Sequence, residues 1–250
     1  MDYEYINSSI LYGINFFIKY VSKYNITPYF DISLSEKIKE DAEIVNKCKI
    51  TSIDNFEGIT IAPFEKNEKL HVLISSNTVS PIETTIHELV HVYDFILFAK
   101  HFCNDELYQI RKHRLFKYFG FWSEFHAKTI DIPCAYFIQD LLNNVPESQR
   151  FLSFKSDIRV KKYKRYNQEL LESNQTHIRD LMYYLGELHN CNTYDKENNY
   201  PIPQEIKNIY GAEQIDELNN ILSICSTFEE FLQHNQILYD YFEKISSWFL

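Results

Sequence analysis

The segment from Ser80 to Ile96 constrains the fold of this chain more than any other. It opens with Ser80, Pro81 and Glu83, which predict a helix with a serine cap, proline at the first helical position and glutamate bonding back to the cap. Apolar residues then recur at helical spacing and predict a buried stripe formed by Ile82, Ile86, Leu89, Tyr93 and Ile96. A long helix with a buried face therefore lies near the middle of the chain.

The composition predicts further helices around this one. The chain has 19 Phe and 19 Tyr but only 5 Gly and 7 Pro, so tight turns are scarce. Two short runs rich in β-branched and aliphatic residues, 58–63 and 70–75, predict a pair of strands joined by a polar turn. We expect an α+β, mainly helical fold with a small sheet next to the central helix.

Helical patterns extend over most of the remaining chain. Ser33 or Ser35 is expected to cap one helix, Pro133 to kink or restart another, and Asp195–Pro203 to form a polar loop. We expect a core over residues 1–145 and a helical C-terminal subdomain over residues 146–250, packed on that core. The helices are predicted over residues 4–24, 33–48, 105–119, 121–142, 147–190, 204–222 and 227–248.

Charge and cysteine content narrow the partners and the compartment. The formal charge of −10 argues against general binding of nucleic acids, whose phosphates need a basic surface. The 5 cysteines are scattered and suggest neither a disulfide framework nor a cysteine zinc site. The acidic start does not resemble a secretory signal, and no segment approaches the roughly 20 apolar residues of a membrane span. We expect a cytoplasmic protein without a membrane partner.

One segment departs from this acidic balance. Between Lys155 and Arg165, a single acid, Asp157, accompanies six basic residues: Lys155, Arg159, Lys161, Lys162, Lys164 and Arg165. Such runs are usually solvated helix faces, and the alternative is a docking site for an acidic partner or for nucleic acid.

The central helix carries the sequence His87-Glu88-Leu89-Val90-His91. Residues four apart share one helix face, so His87 and His91 can bind a single metal ion. Glu88 is rotated by about 100° from His87 and is expected to contact a water molecule on the ion rather than the ion itself. Because zinc lowers the pKa of bound water to about 7, Glu88 is the candidate general base. The spacing predicts a zinc site that hydrolyses its substrate.

A catalytic zinc usually has three protein ligands and one open position. A third histidine six residues after His91 is excluded, because Leu97 occupies that position. We expect Glu124 as the third ligand, because it lies in a downstream helical segment and Ala127, one turn on, allows a second helix to approach closely. The alternative for Glu124 is a solvated helix charge, and the other candidate ligands are four histidines: His101, His113, His126 and His177.

Two supporting roles are also predicted. Asp94 shares the histidine face and could orient His91 or the third ligand through a hydrogen bond, and the alternative is a surface acid. Leu70, Val72 and Ile74 are expected to lie on an edge strand that pairs with extended substrate backbone, and the alternative is ordinary sheet structure. No tyrosine stands out as the group that stabilises an oxyanion.

The motifs resemble the gluzincin branch of zinc metallopeptidases. Two strings carry the resemblance: His87-Glu88-Leu89-Val90-His91-Val92-Tyr93-Asp94 and Ser123-Glu124-Phe125-His126-Ala127. They are similar to the metallopeptidases that process a mitochondrial ATP-synthase subunit and, more loosely, to the ImmA/IrrE family of bacterial and phage metallopeptidases that cleave repressors. Over residues 58–130, the resemblance implies a zincin-like core, with His87, His91 and Glu124 as zinc ligands and Glu88 as base.

We therefore expect a zinc metalloendopeptidase that cleaves a specific intracellular protein. One alternative is a metal-containing regulatory or binding module without general proteolytic activity. Another is a zinc hydrolase that acts on a non-peptide bond. The presence of Glu88 favours an enzyme, because binding alone needs no base.

Overall fold

The computed structural model describes residues 3–47, 56–173 and 178–245. The α+β prediction is confirmed, since the protein is 71% helical and has a small mixed sheet of three strands. Two compact units are present, Met1–Phe116 and Lys117–Leu250. The boundary predicted after residue 145 lies inside the second unit, one helix downstream of the boundary in the structure.

The first unit combines helices with the sheet. Two predicted helices are shorter than expected: the first ends at Phe16 and continues as a π-helical turn, and the second begins at Ile38 because Ser33 and Ser35 belong to a strand. The elements are α1 (Tyr3–Phe16), β1 (Phe30–Ser35), α2 (Ile38–Asn46), β2 (Gly58–Ile61), β3 (Leu70–Ser75) and α3 (Pro81–Phe102).

The sheet has the strand order β1-β3-β2. Strand β3 pairs in parallel with β1 and antiparallel with β2, so its backbone has partners on both sides. Leu70, Val72 and Ile74 are 0% exposed. The prediction that these residues form an edge strand for substrate is therefore wrong, because an interior strand has no backbone groups left to pair with another chain.

The prediction of a central helix is confirmed by α3, but the contacts at the start of this helix differ from the predicted ones. Ser80 occupies the cap position without a side-chain cap bond. Instead, the carboxylate of Glu57 accepts hydrogen bonds from the hydroxyls of Thr78 (2.5 Å) and Thr84 (3.1 Å) near the helix start. A negative charge is favourable there because the first turn of a helix is electropositive.

Buried residues lie on all sides of α3, whereas the sequence predicted a single buried stripe. Ile86 and Leu89 are fully buried as predicted, whereas Ile82 and Ile96 are half-buried. Helix α1 approaches closely at Gly13, where an added Cβ would lie 3.1 Å from Cγ2 of Thr85. The polar residues of the helix are therefore held inside the first unit.

The second unit consists of helices, and among the described residues no helix combines the length and apolarity of a membrane span. The segment predicted as two helices, 105–119 and 121–142, is a 3₁₀ helix (Leu107–Lys112) followed by one continuous α-helix that contains Pro133. The Asp195–Pro203 loop is confirmed. The helices are α4 (Phe116–Leu142), α5 (Leu152–Asp157), α6 (Tyr163–Glu172), α7 (Ile178–Tyr194), α8 (Gln204–Tyr210), α9 (Ala212–Ser223) and α10 (Phe228–Ile245).

Close packing fixes α7 against α4. A Cβ added to Gly186 would lie 2.6 Å from Cβ of Lys128 and 2.8 Å from the carbonyl oxygen of Phe125, so only glycine fits there. Asn190, one turn further on, donates a hydrogen bond of 2.8 Å to the carbonyl oxygen of Lys128. The polar residues at the start of α7 are thereby held over α4.

Buried Asp195 holds the loop after α7. Its carboxylate accepts hydrogen bonds from Arg159 (2.6 and 2.8 Å), from the Tyr200 hydroxyl (2.6 Å) and from Asn198 (2.8 Å). The Arg159 guanidinium holds the pKa of Asp195 well below its usual range. The four described cysteines, Cys103, Cys134, Cys191 and Cys225, are free, and Cys48 lies outside the described residues.

Replacing Asp195 with asparagine should lower the free energy of unfolding by about 2–3 kcal/mol, because Arg159 and Tyr200 lose their charged acceptor. A depressed carboxylate pKa contributes stability above the unfolded-state pKa of about 3.9 and loses it as the pH falls further. Urea unfolding between pH 3 and 7 should therefore show a flatter pH dependence in Asp195→Asn than in wild type. Asp216→Asn, which removes a half-exposed ion pair with Lys207, is the matched control. Equal stability of Asp195→Asn and wild type would contradict the assignment.

Candidate metal centre

Helix α3 brings the two predicted histidine ligands together. The Nε2 atoms of His87 and His91 are 3.2 Å apart, and the two residues are 6% and 7% exposed. Two imidazole nitrogens that bind one tetrahedral zinc at about 2.0–2.1 Å lie about 3.3 Å apart. The spacing of this pair therefore fits a shared metal ion.

Glu124 joins this pair, as the sequence predicted. Among the described residues, His87, His91 and Glu124 each offer one ligand atom, and no two of these atoms are more than 4.8 Å apart. The group is largely buried and could hold a metal ion. Two imidazoles and one carboxylate form a three-ligand set that zinc enzymes use with an open fourth position.

The alternative ligands have other surroundings. His113 packs against the rings of Phe98 and Phe102, and burial lowers its pKa. His126 stacks on Trp122 with ring centroids 4.7 Å apart. His101 is exposed at the end of α3, and His177 lies outside the described residues.

Helix α7 supplies a contact to Glu124 that the sequence did not predict. Nε of Arg179 lies 2.9 Å from Oε1 of Glu124 and 3.0 Å from the hydroxyl oxygen of Tyr183. Nη2 of Arg179 donates a second hydrogen bond of 2.7 Å to the same hydroxyl. The guanidinium is thus held between a tyrosine of its own helix and the predicted ligand.

Glu88 and Asp94 are both buried beside the histidines on α3. Glu88 is 3% exposed, and its carboxylate accepts a hydrogen bond of 2.8 Å from the Thr60 hydroxyl on β2. Asp94 is 0% exposed and is therefore not a surface acid. Its role in orienting His91 or Glu124 stays a prediction, as does the role of Glu88 as base.

No protein-family model matches this chain, and no curated protein or solved structure matches it either. The resemblance to gluzincins therefore rests on the two motifs, and the metal site is inferred from its geometry.

Most of the predicted basic segment is engaged within the chain. Arg159 pairs with Asp195, Lys161 with Asp157 at 3.3 Å and Arg165 with Glu169 at 3.1 Å, and Lys162 is buried. These contacts reduce the charge that the segment can present to a partner. Docking of an acidic partner stays a prediction.

We expect the purified protein to bind about one zinc ion per chain. The double variant His87→Ala, His91→Ala should lose this metal, because the carboxylate alone makes a weak site. His101→Ala, an exposed histidine on the same helix, should keep it. Metal content is measured by inductively coupled plasma mass spectrometry after gel filtration, and full occupancy of the double variant would exclude the site.

The contact between Arg179 and Glu124 predicts a role in metal affinity. Groups that hydrogen-bond a ligating side chain typically contribute 10–100-fold to affinity, so Arg179→Met should raise the zinc Kd by about that factor. Arg165→Met breaks an exposed pair with Glu169 and is the control. Competition with a chromogenic chelator gives both Kd values. Unchanged or tighter binding in Arg179→Met would show that the guanidinium does not help to position the ligand.

Proposed function

We propose that this chain is a zinc-dependent metallopeptidase that hydrolyses peptide bonds of a specific protein substrate. The observation that carries the proposal is the buried group of His87, His91 and Glu124, with ring nitrogens 3.2 Å apart. Glu88 follows the first histidine directly and is itself buried. The motif resemblance to gluzincins supports the same assignment.

Each residue of the group has a distinct chemical task. His87, His91 and Glu124 would hold the ion, which when bound supplies a Lewis acid that polarises a carbonyl and acidifies a water molecule. Glu88 takes the proton of the attacking water and returns a proton to the leaving amine. Burial favours this chemistry, because charges interact more strongly where bulk water is excluded.

The substitution Glu88→Gln tests whether this residue acts as the base without contributing to metal binding. Glu88→Gln keeps the size of the side chain but cannot accept a proton, so the rate of hydrolysis should fall at least about 100-fold. Zinc content should equal that of wild type. Glu83→Gln, on the same helix, is the control and should cleave like wild type.

The substrate is sought by incubating each protein with a cell extract and identifying new peptide termini by mass spectrometry. Termini that appear with wild type and Glu83→Gln but not with Glu88→Gln support the proposal. Equal cleavage by Glu88→Gln would exclude Glu88 as the base. A wild type that holds zinc yet releases no termini would favour a regulatory module or a hydrolase of non-peptide bonds.

A further inference from the structure

A single hydroxyl on strand β2 contacts both the side-chain carboxylate and the backbone carbonyl of Glu88. Oγ1 of Thr60 lies 2.8 Å from Oε2 of the carboxylate and 3.0 Å from the backbone carbonyl oxygen of the same residue. The hydroxyl therefore fixes the side chain relative to its own backbone. An unrestrained glutamate would distribute over several rotamers, and ordering such a side chain costs conformational entropy.

Gly58 provides the space that this arrangement needs. A Cβ at position 58 would lie 2.7 Å from Cγ of Glu88, 2.8 Å from its Oε1 and 2.9 Å from Cγ2 of Thr84. These distances are shorter than any ordinary carbon contact, so a larger residue would displace the carboxylate. Gly58 and Thr60 lie two apart on one strand and thus on the same face of the sheet.

The placement of both residues is set by strand pairing. Gly58 is paired with Ile74 and Thr60 with Val72 in the antiparallel register of β2 and β3. Because β3 is the interior strand of the sheet, this register is anchored on its other side by β1. A shift of one residue would turn Thr60 away from Glu88.

The chemistry of the hydroxyl fits its contacts with Glu88. A threonine hydroxyl has one donor and two acceptor sites, so its single hydrogen is shared between the carboxylate oxygen at 2.8 Å and the backbone carbonyl oxygen at 3.0 Å. Valine at this position would keep the shape of the side chain and lose both contacts.

We propose that Gly58 and Thr60 are positioning residues that hold the Glu88 carboxylate in its reactive orientation. The inference rests on the proposed function of Glu88 as base. The competing explanation is that the contact merely ties β2 to α3. A tie of that kind would affect stability, whereas a positioning role affects the turnover number at constant metal content.

Two substitutions of Thr60 separate these explanations. Thr60→Val removes the hydroxyl with little change of shape and should lower kcat about 10- to 100-fold, as expected for a misplaced catalytic group, with KM and zinc content unchanged. Thr60→Ser restores the hydroxyl and should recover most of the lost rate. Thr85→Val is the matched control, because Thr85 is a buried threonine on α3 whose hydroxyl bonds to the carbonyl oxygen of Pro81.

A double variant tests whether Thr60 acts through Glu88. In a Glu88→Gln background, Thr60→Val should cause no further loss of kcat, because coupled residues are not additive. Gly58→Ala should lower kcat in the same way if it folds, and the pair of Thr60 variants decides the question if it does not. Wild-type kcat in Thr60→Val, or an equal loss of rate in both backgrounds, would overturn the inference.

A probe that needs no turnover separates this inference from the peptidase proposal. Acetohydroxamic acid binds a metal ion as its anion, and a nearby carboxylate can take up the proton that the acid releases. Its affinity for the zinc-loaded protein should fall in Thr60→Val and in Glu88→Gln but not in Thr85→Val. If wild type cleaves no peptide, this pattern still supports the positioning role, and equal affinity in all four proteins overturns it. A wild type without metal overturns both proposals.

Discussion

Everything in the candidate site depends on two imidazole rings that are buried face to edge on one helix, with their Nε2 atoms 3.2 Å apart. Burying such polar groups costs free energy unless their nitrogens find partners. A helix that keeps both rings inside must be covered on several sides, and α1, β2 and β3 cover α3 within the first unit. The surroundings of Glu88 follow from the same burial, because it lies on the face that meets β2.

Local patterns allowed much of this arrangement to be predicted. The spacing of His87 and His91 is a property of a single helix, so sequence alone brings the two rings together. Runs 58–63 and 70–75 contain β2 and β3. In strand β1, Phe30, Ile32 and Leu34 alternate with polar residues, but Ser33 or Ser35 also fits a helix cap, so the sequence predicts a helix there instead of a strand.

The absence of β1 from the predicted sheet explains why the edge-strand prediction for β3 is wrong. In a two-stranded sheet, β3 would be an edge, and Leu70, Val72 and Ile74 would be available to a substrate. With β1 paired in parallel on its far side, β3 is interior. Parallel pairing joins segments that are distant in sequence, and no local pattern reveals it. The contacts of Thr60 and Arg179 were beyond prediction for the same reason, since they depend on strand register and on the close approach of two helices.

We infer that His87, His91 and Glu124 bind one zinc ion. Anomalous diffraction from a crystal of the zinc-loaded protein, measured on both sides of the zinc absorption edge, tests it most directly. We expect one strong peak about 2.0–2.2 Å from a ring nitrogen of each histidine and from a carboxylate oxygen of Glu124. A peak bound by other residues, or no peak in a crystal grown with zinc, would contradict it.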